Sequence, residues 1–208
     1  SFFSLYANID GFTYSEDDIP LDKRPEIDRW ILSELHTLIE KVDTQYDNYE
    51  PTKAARLIST FVIEDLSNWY VRLSRRRFWK GTYEADKIAA YQTLYTCLVS
   101  VAKLMAPIAP FYADRLYQDL DKTTAKEQYA SVHLAYFPYA DKGFVDTVLE
   151  EKMQRAQHIV SLVLSIRKKE KIKVRQPLQR VLIPALDRNV RQDIKEVSDL
   201  IAAEVNVK

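Results

Sequence analysis

EPTKAARLISTFVIEDLSNWYVRLSRRRFW, residues 50–79, is the stretch whose periodicity decides the fold. Apolar side chains recur at helical spacing through Ala54, Leu57, Ile58, Phe61, Val62, Leu66, Trp69 and Leu73, which gathers them on one side of a continuous α-helix. Pro51 suits the first turn, where a missing N–H removes no hydrogen bond. The run closes in a basic, ring-bearing cluster, Arg72, Arg75, Arg76, Arg77, Phe78, Trp79 and Lys80, and Gly81 stops it. At about 100° per residue, Asp65, Asn68, Arg72 and Arg76 fall on the line that Ala54, Ile58 and Phe61 occupy a few turns earlier. A core-facing line thus becomes polar, while Val62, Leu66, Trp69 and Leu73 carry the core on beside it. Two readings fit: a salt-bridged border of a bundle, or a helix that offers arginines to an anionic partner at one end.

Outward from this helix the same pattern repeats. Upstream, a helix is predicted over about Pro25–Asn48, with Ile27, Trp30, Ile31, Leu35, Leu38 and Val42 as its stripe and Glu26 and Asp28 complementing the dipole in its first turn. The turn to the Glu50 helix is very short, so the two should pack antiparallel. Downstream, about Tyr83–Met105 shows Ile88, Tyr91, Leu94, Leu98, Val101 and Met105 on one face. Pro107 ends it, and Pro110 can open a further helix with Phe111, Leu116, Tyr117 and Leu120 inside. Ser1–Gly11 starts in mid-pattern, as the cut end of a helix would. The segment 122–142 is polar and irregular apart from SVHLAYFP at Ser131–Pro138.

A second unit is expected from residue 145, giving domains 1–144 and 145–208. Its helix, about Val145–Lys169, uses Leu149, Met153, Ala156, Ile159, Val160 and Val163. A strand at Leu178–Ile183, a helix from about Asp187 to Ile201 and a β-like end at Val205–Lys208 would make it a small, truncated α+β unit. The fold class is therefore mainly α: an antiparallel helical bundle followed by that unit.

Composition agrees. The 208 residues hold only 3 glycines, against the needs of sandwiches, barrels and dinucleotide-binding folds. The formal net charge is zero, so any nucleic-acid contact must come from local patches. Residues 145–208 carry 13 Lys/Arg against 9 Asp/Glu, and seven of those basic residues lie in 167–180. The single cysteine, Cys97, sits on an apolar helical run as a core filler, which excludes an internal disulfide and fits a reducing, cytosolic setting. No uninterrupted apolar run reaches about 18 residues, so no membrane span is expected.

Chemistry is scarce. The sequence contains no GxxxxGK followed by Ser or Thr, no GxGxxG, no CxxC and no HExxH. His36, His133 and His158 are far apart, without metal-ligand spacing. Neighbouring carboxylates such as Glu64–Asp65 and Glu150–Glu151 point in different directions on a helix and make poor acid/base pairs. No catalytic, cofactor-binding or metal-ligating residue is assigned. Arginine and lysine clusters interleaved with Trp79, Phe78, Tyr70 and Tyr83 would suit a surface that tracks a phosphate backbone and stacks unpaired bases, although amphipathic helices that bind another protein would look much the same. Trp30 and Trp69 are read as core.

Four motifs together resemble the isoleucyl-tRNA synthetases, in the same order: DLSNWYVRLSRRRFW (Asp65–Trp79), LMAPIAPFYADRLY (Leu104–Tyr117), SVHLAYFP (Ser131–Pro138) and KIKVRQPL (Lys171–Leu178). The second is shared with the valyl and leucyl enzymes; the first and third mark the isoleucyl branch. The resemblance runs from SLYANIDGF at Ser4–Phe12 to EVNVK at Glu204–Lys208. It implies that residues 1–144 are the anticodon-binding domain that follows the catalytic domain of a class I enzyme. The partners would be tRNA(Ile) and the catalytic part of the same polypeptide, in the cytoplasm. ATP would be used by that catalytic part alone, whose signature motifs, like the editing domain and any cysteine-rich zinc end, do not occur in these residues. The candidate RNA contacts are Arg72, Arg75, Arg76, Arg77, Trp79 and Lys80 on the central helix, and Lys168, Lys169, Lys171 and Arg175 in the second unit. A helical protein-interaction scaffold without RNA binding, or the equivalent domain of a valyl-type enzyme, remains the alternative.

Overall fold

A computed structural model describes residues 2–80, 82–184 and 187–207, without the side chains of 188 and 189. The chain divides into two compact units, 1–145 and 146–208.

The first unit is a helical bundle. Helix α1 (Phe2–Asp10) ends at Gly11, whose φ of +69° lets the Phe12 N–H reach back to the Ala7 carbonyl and tucks the Phe12 ring inside. Phe12 stacks on Tyr91 with centroids 4.8 Å apart. Helix α2 (Glu26–Asp47) buries Trp30, Ile31, Leu35, Leu38 and Val42 as the spacing predicts, and Ile27 is half-buried. Then the Glu50 stretch runs as three segments: α3 (Pro51–Thr60), a π-helical stretch (Phe61–Val71) and α4 (Arg72–Lys80).

This π stretch changes the expected register. Its i→i+5 bonding puts more residues into each turn than an α-helix does, so side chains beyond it fall on other faces than a uniform 100° step assigns. The buried line is Phe61, Leu66, Tyr70, Ser74 and Phe78: one step of five residues, then steps of four. Leu66 and Trp69 are core as expected, whereas Val62 and Leu73 are only half-buried. Tyr70 and Phe78, expected as stacking rings at the surface, are core residues.

Helix α5 (Ala85–Met105) is the true centre of the unit. Its buried residues include Ala90, Tyr91, Gln92, Thr93, Leu94, Tyr95, Cys97 and Leu104, which surround the helix and do not form one face. It is long and apolar enough to cross a membrane by length and composition, but most of that apolar surface is covered within the bundle. Helix α6 (Pro110–Thr124) faces inward with Ala113, Tyr117, Leu120 and Thr124. Phe111, expected inside, lies outside at 90% exposure, and Leu116 is half-buried. Ala113 begins the i, i+4, i+7 line that faces the core, and Phe111, two residues before it, points away from that line. SVHLAYFP is held by the Asp114 carboxylate, which accepts from the Ser131 hydroxyl (2.7 Å) and the Val132 N–H (3.0 Å).

In the second unit α7 (Thr147–Lys169) buries Leu149, Met153, Ala156 and Val160 against a pair of short helices, α8 (Arg188–Glu196) and α9 (Ser198–Val205). The helix expected over about 187–201 is thus broken, at buried Val197. Among the described residues the expected strand pairing is reduced to one parallel bridge, Leu178 with Val207. Residues 179–183 belong to no described helix or strand, so an alternating apolar pattern alone did not make a sheet there.

Candidate nucleic-acid interface

The cationic end of α4 is built on a buried ion pair. Asp28, in the first turn of α2, is fully buried, and it accepts from both Arg77 Nη1 (2.6 Å) and Arg77 Nη2 (2.8 Å) and from the Tyr70 hydroxyl (2.9 Å). Arg77 Nε also donates to the Asp86 carboxylate (3.1 Å), and Nη2 to the Asp86 carbonyl (2.8 Å), at the start of α5. One guanidinium therefore ties α4 to α2 and α5 through a bidentate carboxylate contact. Burial alone would lower the Arg77 pKa, but the Asp28 carboxylate outweighs it and holds the guanidinium above its ordinary value. Burial and then the same carboxylate raise the Tyr70 phenol.

Arg77 is thereby withdrawn from the RNA contacts the sequence suggests. The π stretch and this ion pair turn it inward, with 16% of its side chain exposed. Its neighbours are turned outward. Arg72, Arg75, Arg76, Trp79 and Lys80 are at the surface, and their i, i+3, i+4, i+7 and i+8 spacing from Arg72 puts them on one patch of helix surface. Arg72 Nε donates to the Asn68 carbonyl (2.7 Å). Among the described residues, Arg75, Arg76 and Lys80 have no ion-pair partner. Tyr83, at the next turn, is partly exposed and donates its hydroxyl to Glu16.

The second basic run lies in the other unit. Lys168, Lys169, Lys171, Lys173 and Arg175 are exposed around the C-terminal turn of α7 and the following loop. Arg167, which begins the run, is 2% exposed and has a structural role. It donates to the carbonyls of Lys173, Gln176, Val205 and Asn206, two of them at the carbonyl-rich end of α9, where a cation is favoured. Arg167 thus sets the loop geometry that displays the lysines.

The sequence reading missed the exposed rings Tyr49, Phe111, Tyr112 and Tyr136. The adjacent pair Phe111–Tyr112 just after Pro110 was the available signal. Neither Cys97 nor His36 adds chemistry: burial pushes the Cys97 thiol up, and His36 Nδ1 accepts the Asp141 N–H (3.0 Å) while its ring stacks on Phe144.

A helical bundle that projects a dense arginine patch and a half-exposed tryptophan from one helix end has the residue types that suit contact with nucleic acid. Comparison with known proteins agrees. Residues 28–183 match the profile of the anticodon-binding domain of tRNA ligase, and the chain belongs to that family. It is 61% identical over 208 residues to an isoleucine–tRNA ligase of Bacteroides fragilis, covering all of this chain and 18% of that protein. Identity is 62% over 207 residues with the Porphyromonas gingivalis isoleucine–tRNA ligase, again over 18% of its length. With the Thermus thermophilus isoleucine–tRNA ligase it is 43% over 208 residues, 20% of that protein. The chain spans about a fifth of the length of the curated relatives it matches.

Proposed function

We propose that this chain is the part of an isoleucine–tRNA ligase that holds tRNA(Ile), positioning it for ATP-dependent isoleucylation carried out by a catalytic part of the same polypeptide outside these residues. The observation that carries the reading is the outward patch of Arg72, Arg75, Arg76, Trp79 and Lys80, fixed by the buried Asp28–Arg77 pair. Arginine forks suit phosphate oxygens bidentately, and a ring beside them suits an unpaired base. The absence of a nucleotide-cradling motif from the sequence supports a non-catalytic role for these residues. The reading carries a cytoplasmic setting with it, where tRNA charging takes place. Lys168, Lys169, Lys171 and Arg175 form a weaker, second contact of the same kind.

The test is the salt dependence of tRNA binding. Every phosphate that a variant no longer neutralises lowers the slope of log K against log salt by roughly 0.7–0.9. Replacing Arg72, Arg75 and Arg76 with Gln should weaken binding and flatten the slope, and replacing Lys168, Lys169 and Lys171 should do so less. If both triple variants keep the fold and only the lysine set alters binding, the α4 assignment fails. If neither does, both surface assignments fail; if the parent chain shows no salt-dependent tRNA binding, the tRNA reading itself fails.

A further inference from the structure

The second unit holds an open apolar cleft beside its one described strand contact. Leu178 pairs with Val207 in a parallel bridge, and the Leu178 N–H donates to the Asn206 carbonyl (3.1 Å). Val207 also lines a cleft of about 220 Å³, together with Val181, Ile183, Ile194 of α8 and Ile201 of α9. Val181, Ile183, Ile194 and Val207 are only half-buried, so the cleft leaves aliphatic surface uncovered. Backbone groups are open as well. Among the described residues, the N–H groups of Arg180 and Leu182 have no hydrogen-bond partner. Strands alternate with a period of two, so Leu178, Arg180 and Leu182 present their N–H groups to the same neighbour. That neighbour already supplies the Asn206 carbonyl to the first of them.

We infer that the cleft is the seat of a β-strand formed by the residues that follow Lys208 in a longer polypeptide. The inference rests on the reading of this chain as part of a ligase, since it spans 18% and 20% of two such relatives. Direction singles out this occupant. The Leu178–Val207 bridge is parallel, so a chain that keeps the course of Val207 advances beside residues 179–183, at about 3.3 Å per residue, along the cleft that Val207 lines. Its carbonyls would meet the Arg180 and Leu182 N–H groups, and every second side chain, apolar, would cover Ile194 and Ile201. Other occupants fit less well. A second copy related by a two-fold axis would lay its own 178–183 stretch antiparallel to this one, against the sense that the bridge sets. Pockets for small organic ligands run from about 300 Å³ upward, above the size of this cleft.

Three chains test it: residues 1–208, the same chain carried on by about 15 residues of its own gene, which is room for one strand and its exit, and the full-length polypeptide. Ser198→Cys puts a thiol on the cleft and Ser161→Cys puts one on α7 outside it, while the native Cys97 is buried. In residues 1–208 both new thiols should react with a maleimide at similar rates. In both longer chains the Ser198→Cys thiol should react at least about tenfold more slowly, and in the 15-residue extension the Ser161→Cys thiol should keep its rate. Amide exchange at Arg180 and Leu182 should slow by a similar factor, and that readout needs no substitution in α9. The inference is overturned if the extended chain reacts and exchanges like residues 1–208. It is equally overturned if protection arrives only in the full-length polypeptide, because another part then fills the cleft. Protection already present in residues 1–208 overturns it too, whether sedimentation shows a dimer or a monomer that closes the cleft itself. A reading frame that stops at Lys208 removes the occupant. None of these results alters the salt slope of tRNA binding, which decides the functional reading separately.

Discussion

Removing the Asp28 carboxylate should be the most damaging single polar change in the first unit. Asp28 is fully buried and Arg77 nearly so, and they share two short hydrogen bonds, with a third to Tyr70. In Asp28→Ala the Arg77 guanidinium keeps Asp86, an exposed carboxylate, and the Tyr70 hydroxyl keeps only a 3.4 Å contact to the Ala90 carbonyl. Breaking a buried pair by deleting one partner costs about 3–5 kcal/mol, most of it from the charge left behind. Arg77→Met should cost a similar amount for the converse reason. The double variant leaves no stranded charge, so it should be less destabilised than the sum of the singles by about 2–3 kcal/mol. Urea unfolding followed by tryptophan fluorescence isolates the right transition, because Trp30, Trp69 and Trp79 all belong to the first unit. A single-variant cost below about 1 kcal/mol, the value of an exposed pair, or single effects that simply add would refute the argument that this pair locks α4 in place.

Trp69→Ala should cost about 3–5 kcal/mol in the same assay, since Trp69 is buried beside Leu66; a loss no larger than that of a surface substitution would show that the π stretch faces another way. His36 is held below its ordinary pKa of 6.5 by burial, with Asp141 opposing the shift. The unfolded chain therefore takes up that proton more readily, so the His36 contribution is present above about pH 6.5 and is lost as pH falls through the lower folded value. His36→Gln should flatten the dependence of stability on pH between about 7 and 5, and an unchanged slope would remove His36 from the account. Isoleucine-dependent pyrophosphate exchange should be undetectable with the pure chain, and clear turnover would overturn the non-catalytic reading.

The helices were legible where one periodicity ran unbroken. Trp30, Ile31, Leu35, Leu38 and Val42 of α2 are core because a single 3.6-residue repeat meets one neighbouring surface, and Pro51, Pro107 and Pro110 mark helix boundaries through local sterics. Reading failed where the partner decides. Arg77 and Arg76 are chemically identical neighbours, yet one is turned inward and the other is solvent-facing because a buried carboxylate from α2 lies on one side only. Along α5 the stripe Ile88, Tyr91, Leu94 was seen, but not that helices would cover the remaining faces as well. Leu178–Ile183 has strand-like composition, but a strand needs a ladder that its own residues cannot supply.

The sequence by itself therefore determined the helical class, the helix boundaries that prolines mark and the presence of a cationic, ring-bearing helix end, since propensity, periodicity and turn chemistry act over a few residues. Tertiary structure alone decided which arginine is a structural tie and which face solvent, and where Tyr70 and Phe78 point. Those outcomes depend on the π-helical change of register and on contacts between residues far apart in the chain, such as Asp28 with Arg77 and Tyr46 with Leu104, which no local pattern encodes.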